Sequence, residues 1–522
     1  MSHFCFLGDL RRVCRFTVIS VATTKTENHK RPCEVMKVMP EQTATMAGST
    51  SWMLVSAALV LLMTPALSLF YGGMSSRRSV LNMMMMSFTA LGVVPVVYVL
   101  WGWSESYGSQ SVAGLFANPF EFFGLRNSIV DANGAYIEGA NGYANVVDIV
   151  FQLTFAVISA AIISGAIASR VKIGAWIAFV VAWVTLVYFP LAHMVWGGGI
   201  LGEGEKSLSA LLFGHENGEA AIVPIDFAGG TVVHISAGTA AFVLALVIGR
   251  RQGFPQSNSR PHNLPLVMIG AALLWFGWAG FNGGSAFAAD GLAGLAWLNT
   301  VAAAAAAMLG WLAVERLRDG YATSLGASSG LVAGLVAITP AAGDISPVSS
   351  LVLGFIGGIF ACFGVGLKYT FNYDDSLDVV GVHLVAGIWG TVGVAFFADQ
   401  SGIFTGGGAD GWKLLVVQTL IALVAMLLSG VITLLIALAI KHTIGWRITR
   451  QQEFEGIDYS MHRETGYDFG GPGMRPGGLP ASNKPAADLG LNESREHHEP
   501  HSRKAGTTQK KEVATHEKEI ER

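Results

Sequence analysis

The chain has 522 residues, 52% of them hydrophobic and only 13% charged. Soluble domains carry about 25% charged residues, so this composition argues against a cytosolic globular protein and for one that lives in a bilayer. A formal net charge of −3 offers no basic surface for nucleic acid.

The first 46 residues carry Arg11, Arg12, Arg15, Lys25, Lys30, Arg31 and Lys37. Their apolar run "FTVISVA" is too short and poorly flanked for a signal peptide. Residues 1–46 are therefore expected to be a disordered tail or a mis-assigned start, with translation beginning at Met36, Met39 or Met46. Three of the four cysteines (Cys5, Cys14, Cys33) lie in this tail and Cys362 stands alone, so no disulfide or metal framework is expected.

Eleven apolar runs of about 20 residues follow, the length a helix needs to span a bilayer. They are Ser51–Tyr71, Asn82–Trp103, Val146–Ala168, Ile173–Val195, Phe227–Ile248, Leu264–Phe281, Leu295–Val314, Thr323–Thr339, Val348–Phe371, Val379–Phe397 and Trp412–Ile440. Loops on one side hold thirteen Lys or Arg residues, among them Arg77, Arg170, Arg251, Arg316 and Arg447. Those on the other hold only Arg126, Lys206 and Lys413. The positive-inside rule then predicts an N-out, C-in protein of the cell membrane, although the basic N-terminal tail runs against that placement. Beyond about residue 470 the chain is rich in Gly, Pro, Lys, Glu and His, and disorder is expected.

Two distant runs share a small motif. "DFAGGTVVHISAGTAAFV" carries His234 and "SLDVVGVHLVAGIWG" carries His383, and aligned on these rings both read Val-His-x-x-Ala-Gly. A second pair, "LFYGGMS" and "GFNGGSA", shares Phe-x-Gly-Gly at Phe70 and Phe281. The pairs fall in the fifth and tenth and in the first and sixth runs. A five-plus-five duplication with an odd unit must be inverted, and such repeats commonly hold a substrate site near the midplane of the membrane. The predicted fold class is thus an all-α polytopic membrane protein, five plus five helices and an eleventh.

Glycine numbers 64, well above its usual share of about 7%. Most of these glycines are expected to let helices approach closely, as at Gly354 and Gly358, Gly387 and Gly390, beside the Ala302–Ala307 run. A histidine inside a membrane helix is costly unless it faces protein, water or a partner. One alone reads best as a neutral ring bonded between helices, but two at equivalent places should meet across the pseudo-twofold axis. Asp378 reads as a helix N-cap in "DDSLD", whereas Asp226 reads equally as a backbone brace or as an acid favouring a cation. Phe151 and Phe155, and Trp275, Trp278 and Phe281, recur at helical spacing and read first as packing. Trp196 ends "AHMVWGGG" at an interface, where it can also offer a π face to a cation.

Taken with "WFGWAGFNGGSA" and "DDSLDVVGVHLVAGIWG", the segment "DFAGGTVVHISAGTAAFVLALVIGRR" resembles the signature of the ammonium transporter family (Amt/Mep/Rh), and Trp196 resembles its Amt/Mep branch. The resemblance covers about Ser51 to Tyr467. It implies a non-enzymatic homotrimer with one pore per subunit and no cofactor. By it, Trp196 and Ser285 would recruit ammonium, with Phe155 and Trp278 contributing to that site. Phe155 and Phe281 would form a gate. His234 and His383 would line the pore as a twin pair, Asp226 would lie beneath the recruitment site as brace or proton relay, and Phe70 would belong to the cytoplasmic exit. Residues 47–446 would be the transport domain and 447–469, with "EGIDYSMHRETGY", a cytoplasmic regulatory region docking on neighbouring subunits and open to a P-II-type protein. An ammonium sensor with limited conduction is the alternative, and residues 470–522 carry no functional expectation.

Overall fold

A computed structural model describes residues 41–255 and 260–467, together with the backbone of two paired strands, Met474–Arg475 and Leu479–Pro480. The expectations for residues 1–40, and otherwise for 470–522, lie outside the described residues. Eleven helices among these residues are long and apolar enough to cross a membrane. Spans 1 to 5 are Thr45–Met74, Val80–Tyr107, Asn145–Ile167, Ile173–Trp196 and Gly230–Ile248. Spans 6 to 10 are Leu264–Gly284, Gly291–Asp319, Ser324–Ala341, Pro347–Thr370 and Val380–Phe397, and span 11 is Gly408–His442.

Each predicted run becomes one span, and the differences lie at the ends. Span 7 continues past Val314 to Asp319 because Glu315, Arg316 and Arg318 remain helical beyond the apolar stretch. Span 5 starts later than Phe227, since Gly229 takes the left-handed conformation (φ 112°) and only Gly230 enters the helix. Short polar side chains start most of the later spans. Asn263 accepts from the Leu266 N–H (3.0 Å), Asp290 from Ala293 (3.1 Å), Thr323 from Gly326 (2.8 Å) and Ser346 from Ser349 (3.2 Å). Each satisfies a donor that the first helical turn would otherwise leave orphaned, a costly condition in an apolar setting.

The inversion is visible in the glycine contacts. A Cβ added to Gly73, at the end of span 1, would lie 2.7 Å from the Asn263 carbonyl oxygen and from Val267, where span 6 begins. One added to Gly284, at the end of span 6, would lie 2.6 Å from Ser56 near the start of span 1. The two helices therefore run antiparallel. With Phe70 aligned on Phe281, Gly73 corresponds to Gly284 and Ser56 to Val267, so the same contact is made twice with its members exchanged. That is what an inverted repeat requires.

The predicted small-residue seam also forms. Gly354 and Gly358 of span 9 press on the carbonyls of Ala303 and Ala307 in span 7, leaving no room for a side chain. Gly358→Leu should therefore lower the thermal unfolding midpoint of the detergent-purified protein. Overpacking typically costs about 1–3 kcal/mol, and an unchanged midpoint would mean that this seam yields readily. Outward faces carry exposed apolar side chains such as Leu54, Phe88, Phe276, Leu309 and Leu427, as a lipid-facing surface does. The protein is a multi-pass membrane protein.

The segment after span 11 folds back over the ends of the helices. Thr449 and Gln452 form a capping box that starts a short helix, Arg450–Glu455. The Asp458 carboxylate then accepts from the Leu81 N–H (3.0 Å) and the Asn82 N–H (2.8 Å), supplying span 2 with its N-terminal acceptor. His462 Nε2 lies 2.9 Å from the Asn82 amide, and Tyr467 reaches His262 at 2.8 Å. Arg447 pairs with Glu453 (2.6 Å) and donates to the Arg250 carbonyl (2.8 Å).

Candidate conduction site

Spans 5 and 10 each begin with a π-helical turn, Gly230–Ile235 and Val380–Val385, and each turn carries its histidine. Such turns are rare and concentrate at functional sites. The shared motif explains why the two rings meet. A Cβ on Gly238 would lie 2.6 Å from the Leu384 amide nitrogen, and one on Gly387 would lie 3.1 Å from His234 Cβ and 3.4 Å from Ile235. Aligned on the histidines, Gly238 corresponds to Gly387 and Ile235 to Leu384. Each glycine thus admits the residue beside the other unit's histidine. Nδ1 of His383 lies 3.3 Å from Nδ1 of His234, with ring centroids 5.4 Å apart. Both rings are buried, and His234 Nε2 has no partner among the described residues.

Above this pair stands a file of aromatic rings. His234 stacks on Trp278 (5.7 Å, 19°) and on Phe281 (6.1 Å, 20°). Phe281 lies 4.3 Å from Phe155, and the Phe155 edge meets Trp196 at 6.4 Å and 88°. The packing readings of Phe155, Trp278 and Phe281 and the file are thus one arrangement. Trp278 is held by its indole N–H, which donates to Thr339 Oγ1 (2.9 Å). Thr339 was not legible in the sequence as a site residue, because its role depends on span 8 ending beside span 6. Ser285 donates to the Phe281 carbonyl (2.8 Å), so its hydroxyl is anchored one turn beyond that ring. Phe70 is buried beside Tyr71 (5.9 Å) and touches none of these rings.

The Asp226 side chain is bonded into the start of span 5. Its carboxylate accepts from the N–H groups of Gly229 (3.2 Å), Gly230 (2.5 Å), Thr231 (3.1 Å) and Val232 (3.4 Å), and from the Thr231 hydroxyl. The Trp196 indole donates to its carbonyl oxygen (3.0 Å), which ties the file's outermost ring to the start of span 5. The reading of Asp378 as an N-cap is corrected. Asp378 sits at φ 67° and pairs with Lys368 from span 9, while Asp375 caps span 10 by accepting from the Val380 N–H (2.7 Å). A signal for this was present: Asp375 stands eight residues before His383, as Asp226 stands eight before His234. Among the described residues no cluster of His, Cys, Asp or Glu is arranged to hold a metal, and Cys362 is buried and unpaired.

A model described as the Ammonium Transporter Family matches residues 51–467 of the chain. An ammonium transporter of Mycobacterium tuberculosis is 48% identical over 445 residues, covering 81% of this chain and 90% of the relative. Ammonium transporter Amt1 of Archaeoglobus fulgidus is 37% identical over 421 residues, covering 80% and 99%. Among solved structures, a sensor Amt protein superposes with a TM-score of 0.70 at 28% identity, covering 80% of this chain and 99% of its own. Candida albicans Mep2 superposes with a TM-score of 0.68 at 26% identity, covering 79% and 89%.

Proposed function

The chain belongs to the ammonium transporter family, and from that membership we propose that it carries ammonium equivalents across a cell membrane by conducting ammonia. The observation that carries this reading is the unbroken file from Trp196 through Phe155, Phe281 and Trp278 to His234 and His383. Ammonium and potassium are of similar size, so radius alone does not separate them. The Trp196 face, with Ser285, gathers a cation modestly. The stacked Phe155 and Phe281 then bar a bare charge, whose entry into apolar surroundings costs several kcal/mol or more. Ammonium can shed a proton there and continue as ammonia, while potassium cannot.

Beyond the gate, the paired histidines offer hydrogen bonds without full charge. With the two Nδ1 atoms facing, one ring donates and the other accepts, which leaves one Nε2 as a donor and the other as an acceptor. Such a pair can hand a small polar molecule onward in either direction. Asp226 keeps the outer entrance in register with His234, and Phe70 is assigned to the opposite exit.

The distribution of Lys and Arg supports an orientation with Trp196 outside and the C-terminal region in the cytoplasm. We assign residues 47–446 to transport and 447–469 to regulation, in a homotrimer with one pore per subunit; a P-II-type cytoplasmic protein is the regulator the family suggests. Deleting the chain after Tyr467 should leave transport nearly intact, whereas deleting from Arg447 removes the Asp458 cap of span 2 and should impair it severalfold. Both truncations are compared in liposomes at matched folded yield, and equal activity would deny the segment a role. The likeness to a sensor Amt protein supports a second reading, a sensor with little conduction.

The deciding experiment records ammonium-evoked current and lumenal pH in proteoliposomes, with potassium and methylammonium as controls. Conduction selective for ammonium and methylammonium supports the transporter, and its absence favours the sensor. In the same assay Trp196→Leu should raise the concentration for half-maximal response by roughly two- to thirtyfold, matching a cation–π contribution of about 0.5–2 kcal/mol. An unchanged response would return Trp196 to an interfacial anchor.

A further inference from the structure

Three basic side chains meet where span 4 begins and span 11 ends. Lys172 immediately precedes span 4, and Lys441 and His442 close the last turn of span 11. The chain between these elements holds them together. The Lys172 N–H donates to the Trp446 carbonyl (2.9 Å), Val171 bridges to Arg447, and the Lys172 ammonium lies 3.4 Å from the Ile444 carbonyl. Trp446 fastens the turn from inside, since it is buried and its indole donates to the Ala437 carbonyl (2.8 Å). The position of Lys172 against the end of span 11 is therefore built, not incidental.

The charge gathered there is not balanced within the chain. No ion pair among the described residues includes Lys172, Lys441 or His442. Glu453, the acid in the helix that follows, is taken by Arg447 (2.6 Å) and the Gln252 N–H (2.8 Å). The carbonyl end of a helix carries about half a negative charge, which offsets only part of two lysines. The surface beside the patch is apolar and faces outward. Leu427, Val431 and Leu435 are exposed at helical spacing, and His442 continues their stripe two turns on. Leu434 and Lys441 repeat the relation on the adjoining stripe, and the exposed Ile444 stands beside the Lys172 ammonium. A ligand that suits this place has an anionic head and an alkyl tail.

We propose that the junction of spans 4 and 11 is a binding site for an anionic phospholipid, with its phosphate held by Lys172 and Lys441 and an acyl chain lying along Leu435 and Val431. Basic recesses between helices on the positively flanked face of a membrane match such headgroups, and each lysine contributes about fivefold in binding. A zwitterionic lipid brings the same phosphate together with its own cation, so it gains little from the patch. The proposal rests on the membrane placement of the eleven spans and stands whether or not the protein conducts.

The test uses the full-length protein in phosphatidylcholine nanodiscs that carry a trace of phosphatidylglycerol with a photoreactive acyl chain. Cross-linked peptides are identified by mass spectrometry. Label should appear in the last turns of span 11 and the first turns of span 4. Unlabelled phosphatidylglycerol should compete for it roughly tenfold better than phosphatidylcholine, or more. Lys172→Gln combined with Lys441→Gln should cut this labelling by about twenty- to thirtyfold. Lys413→Gln, an equal loss of charge at the other face, should leave it within about twofold. Folding of each variant is checked by its unfolding midpoint in phosphatidylcholine, and added phosphatidylglycerol should raise the midpoint of the parent but not of the double variant. Labelling of the double variant at the parent level would overturn the proposal. So would equal competition by phosphatidylcholine, which would reduce the patch to ordinary lipid contact. Loss of label on adding inorganic phosphate would overturn it as well, and would assign the lysines to a soluble anion.

Discussion

His234→Ala should reduce ammonium-evoked transport at least tenfold, the equivalent of about 1.4 kcal/mol or more at the barrier, while recruitment at Trp196 survives. The ring stacks on Trp278 and Phe281 and faces His383, so its removal opens a gap between Phe281 and the second histidine. His383→Ala should do the same from the other side. Removing a buried ring also costs stability, so activity is compared only at equal folded yield. His383→Gln separates the two effects, since it keeps polar bulk but cannot exchange donor and acceptor between two ring nitrogens. It should remain impaired although well folded. Transport at the parent rate in both alanine variants would remove the histidines from the route.

Asp226→Ala should be the more damaging change to the fold. The carboxylate satisfies N–H groups at the start of span 5 together with the Thr231 hydroxyl. Loss of a helix cap costs about 0.5–2 kcal/mol, and each buried donor left unpaired about 1–3 kcal/mol. A combined loss of roughly 2–4 kcal/mol follows, visible as a lower unfolding midpoint. Because the Trp196 indole donates to the Asp226 carbonyl, the same variant should also weaken ammonium recruitment. Asp226→Asn retains one acceptor oxygen and should fall between the two proteins in stability. A midpoint unchanged in Asp226→Ala would mean that the turn is held by other contacts.

The two units are linked by contacts rather than by overall likeness. Phe-x-Gly-Gly recurs because Gly73 and Gly284 each receive the opposite helix. Val-His-x-x-Ala-Gly recurs because Gly238 and Gly387 each receive the residue beside the other histidine. A motif that first reads as two isolated polar rings is therefore a packing motif that delivers those rings to one another.

Eleven spans, their order and the pairing of first with sixth and fifth with tenth were legible from residue order alone. Apolar length dictates a span, and a repeated motif needs no coordinates to be seen. His234 and His383 were legible as a pair because a repeated motif carries them, whereas Trp196, Phe155, Phe281 and Trp278 read by themselves as packing or interfacial residues and became site candidates only through the family resemblance. Which aspartate caps span 10 was not. Asp375 and Asp378 are both acidic, both precede the helix and both suit a cap. The choice rests on Lys368, ten residues upstream on span 9, which engages Asp378 and leaves the Val380 N–H to Asp375. Thr339 beneath Trp278 and Asp458 at the start of span 2 depend in the same way on partners distant in the chain. Hydropathy and local repeats act within one helix and can be read along it; a hydrogen bond between helices exists only once the bundle has brought its two ends together.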